Sequence, residues 1–203
     1  MIDDLPATTR AANVCVCLRR RDLLAGAAAV ALGNLLPSAA TLAADPDPAK
    51  LPPAIGDGLA FASWDNDGRL VTAADLVLDA APVVVYPRDP TSGITREKSR
   101  LNQILLLRLD PSTLNDTARV RAVDGVIAYS AICTHAACGV TEWNATSRHV
   151  ICPCHSSEYD PAQGAVRVNG PAPRPLPALA LKRDGETFTI AAAFSAAVGG
   201  NAQ

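Results

Sequence analysis

The chain has 203 residues, 49% of them apolar, and Lys+Arg 18 against Asp+Glu 20 leaves a formal net charge of −2. At roughly 100–200 residues per domain this is one or two domains with a core of ordinary size, and near-neutral charge with 4% aromatics excludes a basic or base-stacking nucleic-acid surface. Sixteen prolines and 13 glycines argue against a helical bundle, and six cysteines are too few for a small disulfide scaffold.

In chain order, Arg19, Arg20 and Arg21 precede a charge-free run from Leu23 to Ala44. Arg20-Arg21-Asp22-Leu23-Leu24 followed by that run resembles a twin-arginine export signal, ending at Ser38-Ala39-Ala40 or Thr41-Leu42-Ala43. Residues 1–43 are therefore expected to direct the chain to the periplasm, or to stay as an inner-membrane anchor. Gly26, Gly33, Asn34 and Pro37 make the run a poor spanning helix. Cys15 and Cys17 belong to this leader. Residues 44–55, with Pro46, Pro48, Pro52 and Pro53, read as a linker. A domain over 56–196 and a tail over 197–203 follow. Strands are expected at Val83 to Tyr86, Gln103 to Leu109, Gly125 to Ile132 and His149 to Ile151. Leu179 to Lys182 and Thr187 to Ala192 flank Asp184-Gly185, a hairpin signal. Ala73 to Asp79 and Ser112 to Arg121 read as short helices. The whole is a small antiparallel all-β domain.

Four cysteines and two of the three histidines crowd into one stretch: Cys133-Thr134-His135-Ala136-Ala137-Cys138, then Cys152-Pro153-Cys154-His155-Ser156-Ser157-Glu158-Tyr159. Each half offers a thiolate and an imidazole from a short loop, plus one further cysteine. Six soft ligands are too many for one tetrahedral ion. Four ligands for a metal centre and one pair for a loop-to-loop disulfide is the economical division, and such a bridge needs an oxidising compartment. A structural zinc site is the alternative on ligand types alone, making the chain a non-redox, zinc-stapled interaction module. That reading leaves the two extra cysteines without a role, and it gives a colourless protein.

The stretch Cys133 to Pro177 resembles the Rieske iron–sulfur family, in the disulfide-bearing branch found in cytochrome bc complexes and related oxidases. The resemblance implies a Rieske-type antiparallel β-sandwich with a cluster-binding subdomain over about 130–177, holding one [2Fe-2S] cluster. It implies Cys133 and Cys152 on one iron, His135 and His155 on the other, and a Cys138–Cys154 disulfide. It makes Gly170-Pro171-Ala172-Pro173 the loop covering the third side of the cluster, and Ser157 and Tyr159 hydroxyl donors to its sulfurs. Two neutral imidazoles in place of thiolates make an electron easier to accept, so a high potential is expected. Such donors stabilise the reduced state further.

Two positions depart from the bc-complex pattern. Leu-Gly between the first ligand histidine and the next cysteine is Ala136-Ala137 here, and the second loop reads Ser156-Ser157 without the usual glycine. The missing leucine weakens a quinol-pocket reading. Ala128-Tyr129-Ser130-Ala131-Ile132 leading into Cys133 is more similar to the small Rieske subunits of arsenite-oxidase-type molybdenum enzymes. The expectation is a periplasmic one-electron carrier, free-standing or the small subunit of an oxidoreductase, not catalytic alone. Its partners would be a molybdenum-enzyme large subunit and a cytochrome c or cupredoxin acceptor. The alternative is the Rieske subunit of a quinol–cytochrome c reductase, with cytochrome b as partner. Of the remaining residues, His149 reads as a surface side chain and Trp143 and Tyr129 as packing residues. Arg96, Lys98 and Arg100 read as a solvated loop inside Pro87–Leu101, a segment longer than a tight connection needs.

Overall fold

A computed structural model describes residues 45–200. The export-signal expectation over residues 1–43 lies outside the described residues. Among the described residues, no helix is long and apolar enough to cross a membrane.

Over the described residues the fold is all-β and antiparallel, as expected, with ten strands in two sheets. Six strands close into a barrel in the order β1-β10-β9-β4-β3-β2. They are β1 (Gly58–Ala60), β2 (Val83–Arg88), β3 (Ile104–Arg108), β4 (Val126–Ser130), β9 (Ala178–Asp184) and β10 (Thr187–Ala192). A four-stranded sheet, β5 (Glu142–Asn144), β6 (His149–Cys152), β7 (Ser157–Asp160) and β8 (Val166–Asn169), lies in the chain between β4 and β9.

The apolar run Ile104-Leu105-Leu106-Leu107 shows why both sheets need β3. Strand side chains alternate between faces. Ile104 and Leu106 enter the barrel core with Val85, Phe188 and Ile190. Leu105 and Leu107 face the other way, into a second core with Tyr129, Cys133, Val150, Cys152 and Tyr159. Strand β4 divides in the same manner: Val126 and Ala128 point into the barrel, Ile127 and Tyr129 toward the small sheet. Both thiols named as ligands thus belong to the hydrophobic core between the sheets.

Turn chemistry sets the ends. The Asp184–Thr187 pair closes the β9–β10 hairpin around Gly185, at φ +58°. Asp124 and Gly125 both take positive φ and turn the chain tightly into β4, with Val123 and Val126 exchanging backbone hydrogen bonds. Three Asp-Pro pairs each start a single 3₁₀ turn, with Asp47, Asp110 and Asp160 accepting from the backbone N–H two residues on. The expected helix over Ala73 to Asp79 shrinks to a 3₁₀ turn at Ala73–Asp75, and that over Ser112 to Arg121 to one α-turn at Asp116–Arg119. Neither segment has enough residues to offset the cost of helix nucleation.

Candidate metal centre

Two loops at the end of the small sheet carry the cysteines and histidines. The first leaves β4, and Ala131 donates its N–H to the Gln103 carbonyl. It folds back so that Cys133 N–H donates to Cys138 O at 2.8 Å, and Ala137 N–H to Cys133 O at 3.1 Å. The Ile132–Gly139 bridge closes it. The second is the β6–β7 hairpin, closed by the Cys152–Ser157 pair. Each loop tightens through a residue in the left-handed region: Ala137 at φ +55° and Ser156 at φ +54°. These are the positions where the family pattern has glycine, so the backbone keeps a glycine-like turn without glycine.

The Cys138–Cys154 disulfide joins the loops. Cys133 and Cys152 are free thiols, each 1% exposed. The imidazoles of His135 and His155 stand edge to face, ring centres 4.6 Å apart, with their Nδ1 atoms facing each other at 3.2 Å. His135 is half-buried and His155 exposed. The sulfurs of Cys138, Cys152 and Cys154 lie within 4.8 Å of one another. Two of those three are spent in the bridge, so only Cys152 is a donor in that group. Burial raises the Cys152 thiol pKa, helped by the neighbouring Cys133. A bound cation must therefore displace a proton from a thiol that holds it firmly.

Tyr159, wholly buried, is the hub beneath the first loop. Its hydroxyl lies 3.2 Å from Cys133 Sγ, 3.3 Å from Thr134 N and 3.3 Å from Thr134 Oγ1. Burial first, and the Cys133 contact second, push its phenol pKa well up. Thr134 Oγ1 donates to the Arg174 carbonyl at 2.7 Å, and Thr134 N–H donates to the phenol. The phenolic hydrogen then has two acceptors in reach, Cys133 Sγ at 3.2 Å and Thr134 Oγ1 at 3.3 Å, and the sulfur, the larger atom, makes the closer contact. Ser157 is also buried, and its Oγ accepts from Ala172 N–H at 3.2 Å, which leaves its own hydrogen unspent.

The segment Gly170-Pro171-Ala172-Pro173 lies against the second loop. Gly170 sits at φ +83°, and a Cβ there would fall 2.5 Å from Ser157 Cα and 2.7 Å from Ser156 O. Only glycine permits this approach. Pro171 and Pro173 face outward, while Ala172 is buried.

The basic stretch is a solvated loop only in part, with Lys98 and Arg100 exposed and Arg96 buried. Arg96 is 6% exposed and pairs through Nε with Asp57 at 2.8 Å and through Nη2 with Asp89 at 3.3 Å. Lys98 pairs with Asp47 at 3.0 Å, and Arg100 donates to the Ala137 carbonyl of the first loop. Charge spacing along the chain could not reveal acids 39 and 51 residues away. The long β2–β3 connection thus ties β1, the 45–53 segment and the first loop together. His149 is half-buried, its Nδ1 2.8 Å from Glu158. Tyr129 is buried and donates to Pro161 O at 2.8 Å, and Trp143 packs on the same core. Thr134 and Arg174 were not singled out by sequence. Isolated polar residues outside the Cys/His pattern carry no signal of their own.

Two buried thiols and two imidazoles with converging Nδ1 atoms form a donor set that fits a [2Fe-2S] cluster with Cys₂ on one iron and His₂ on the other. Residues 102–180 match the family described as Rieske [2Fe-2S] domain. The chain is 35% identical over 86 residues to the cytochrome bc1 complex Rieske iron-sulfur subunit of Streptomyces lividans, covering 42% of this chain and 51% of that one. It is 33% identical over 140 residues to the putative respiratory nitrate reductase subunit Rieske of Haloferax mediterranei, covering 68% and 59%. The chain spans about half the length of these curated relatives. The ferredoxin of carbazole 1,9a-dioxygenase from Nocardioides aromaticivorans superposes with a TM-score of 0.41 at 20% identity, over 62% of this chain and 96% of that one.

Proposed function

Because this chain carries a Rieske [2Fe-2S] domain of the disulfide-bearing kind, we propose that it is a periplasmic one-electron carrier serving as the small subunit of a respiratory oxidoreductase. The observation that carries the reading is the convergence of His135 and His155 above two buried cysteines, with a disulfide locking the loops that bear them. Cys133, Cys152, His135 and His155 hold the cluster, which when bound accepts and donates one electron at a high potential.

The chain's own residues shape that exchange. Cys133 and Cys152 sit in the core, so the cysteine side is closed to solvent. His155 is exposed and His135 half so, which makes the imidazole side the face offered to a partner. With Nδ1 turned inward, each ring keeps Nε2 for a proton exchangeable with water or with a partner group. Tyr159 stays protonated and donates toward Cys133 Sγ, favouring the more negative state. Ser157 holds a second hydroxyl hydrogen beside the second loop.

Export by the twin-arginine pathway is supported by the Arg20-Arg21 leader and by a disulfide that persists only in an oxidising compartment. The subunit assignment is supported by the Haloferax mediterranei relative, aligned over 140 residues, whose name is putative respiratory nitrate reductase subunit Rieske. A second reading, the Rieske subunit of a quinol–cytochrome c reductase, is favoured by the Streptomyces relative's name. Against it, the exposed tip residue is Ala136 where that pattern has leucine. Native purification tests both. Two irons and two acid-labile sulfides per chain, with a molybdopterin-containing partner and a processed N-terminus, are the expected result. Co-purification with cytochrome b and an intact N-terminus in the membrane overturns the first reading for the second. A colourless zinc protein overturns both.

A further inference from the structure

The C-terminal segment lies directly on the first cluster loop. It begins at Ser195, which donates its N–H to Ala178 O at 2.9 Å while its Oγ accepts from Ala178 N–H at 3.0 Å. Gly199 is buried, and a Cβ there would meet Ala137 Cβ at 3.5 Å and Ile132 Cγ2 at 3.7 Å. At Gly200 a Cβ would fall 2.3 Å from the His135 carbonyl oxygen and 3.4 Å from that of Thr134. Only an unsubstituted backbone passes this close to the residue that bears the half-buried imidazole.

Arg174 grips the same loop from both sides. Its carbonyl takes the Thr134 hydroxyl at 2.7 Å, and its Nη2 donates to the Gly199 carbonyl. Its Nη1 is buried with no hydrogen-bond partner among the described residues. A buried N–H left unmade is a cost to folding that native proteins concentrate at functional places. We propose that Arg174 is a positioning residue, which latches residues 195–200 as a strap over Cys133-Thr134-His135 and so holds the His135 imidazole facing His155. This rests on His135 being a cluster ligand, as argued above.

The strap supplies what the loop lacks. Ala137 holds a left-handed backbone that its Cβ resists, so the loop by itself favours relaxing away from this turn. The disulfide fixes the loop only at Cys138, its far end. Arg100 holds Ala137, and Arg174 with the strap holds Thr134 and His135. Removing the latch frees the ligand-bearing tripeptide and leaves the barrel untouched.

The experiment uses the full-length, cluster-loaded protein and the variants Arg174→Met, Arg174→Lys and Gly200→Val. Release of iron to a chelator, the electron paramagnetic resonance spectrum of the reduced protein and hydrogen exchange by mass spectrometry are measured together. Losing a hydrogen bond to a charged donor should speed iron release about tenfold in Arg174→Met. The spectrum should shift, and protection should fall only over 132–139 and 195–200. Arg174→Lys, which keeps a charged donor, should recover most of the parent behaviour, and Gly200→Val should match Arg174→Met. Parent-like release and spectrum in both Arg174→Met and Gly200→Val, or protection lost evenly across the barrel, overturns the proposal. If the parent itself holds zinc or no metal, the electron-transfer reading fails, while exchange over 132–139 still decides whether the strap positions the loop.

Discussion

Replacing Tyr159 by Phe isolates one hydroxyl. The ring is fully buried and the change removes only the oxygen, so the core between the sheets keeps its packing. Two separate losses follow. The Thr134 N–H, 3.3 Å from that oxygen, becomes a buried donor without its partner, which costs about 1–3 kcal/mol. The Cys133 sulfur, 3.2 Å away, loses the phenolic hydrogen, for which Thr134 Oγ1 at 3.3 Å is the other acceptor in reach and the longer contact relative to its atom size. If that hydrogen bond is worth about 1 kcal/mol more in the reduced state, the one-electron potential falls by about 40 mV, at roughly 59 mV and 1.4 kcal/mol per tenfold. Voltammetry of the loaded full-length protein at fixed pH reads the second effect, and urea denaturation the first. Thr134→Val serves as the control: it removes the Arg174 link, keeps the Tyr159–Cys133 contact, and should lower stability without lowering the potential. A Tyr159→Phe protein with full cluster content and a potential unchanged within about 10 mV would refute the assignment of that hydrogen to sulfur.

Four further outcomes are expected. Ala137→Gly and Ser156→Gly relieve about 1–2 kcal/mol of left-handed strain each, offset by roughly 0.4–1 kcal/mol of added unfolded-state freedom, so each should raise the urea midpoint slightly; a clear fall at either site contradicts the reading. Arg96→Met leaves Asp57, 2% exposed, without its charge partner and should cost about 3–5 kcal/mol by the same measurement. Cys154→Ser unlinks the two loops and should accelerate cluster loss at nearly constant barrel stability, whereas unchanged cluster lifetime would show the bridge to be dispensable. Burial raises the phenol pKa of Tyr129 and, with the Cys133 contact, that of Tyr159. Folded-state values above the unfolded one mean that stability is fully present below about pH 10 and lost above it, by up to about 1.4 kcal/mol per pH unit for each phenol. A urea midpoint that stays level from pH 8 to 11 contradicts this.

The parts of the fold legible in sequence were those written locally. Val83 to Tyr86 and Thr187 to Ala192 are apolar runs of strand length, and Asp184-Gly185 marks its own hairpin. The cysteine and histidine spacing carried the centre because chelation by two short loops is itself a local pattern. Strands β5, β7 and β8 were not read, since Glu142-Trp143-Asn144 and Ser157-Glu158-Tyr159-Asp160 mix charged and aromatic residues that carry no strand signal outside the sheet. Strand β1 is three residues long and contains glycine, and only its pairing with β2 and β10 makes it a strand. Arg96 was misread for the same reason: its partner Asp57 lies 39 residues back, and a buried ion pair between distant segments has no linear signature.

The departures from the family pattern divide into two kinds once the backbone is considered. At Ala137 and Ser156 the glycine of the pattern is replaced, yet the backbone takes the positive φ that glycine favours. A left-handed turn without glycine persists only where surrounding contacts over-determine it. Here those contacts are the disulfide, the approach of Gly170 to Ser157, the Arg100 donation to Ala137, and the latched strap on His135. At Ala136 the change is of the other kind. The residue is exposed beside His135 and replaces a large apolar side chain by a methyl group. Loop closure and tip chemistry are therefore separable in this chain: the backbone at Ala137 and Ser156 shapes the first, and the exposed side chain of Ala136 the second.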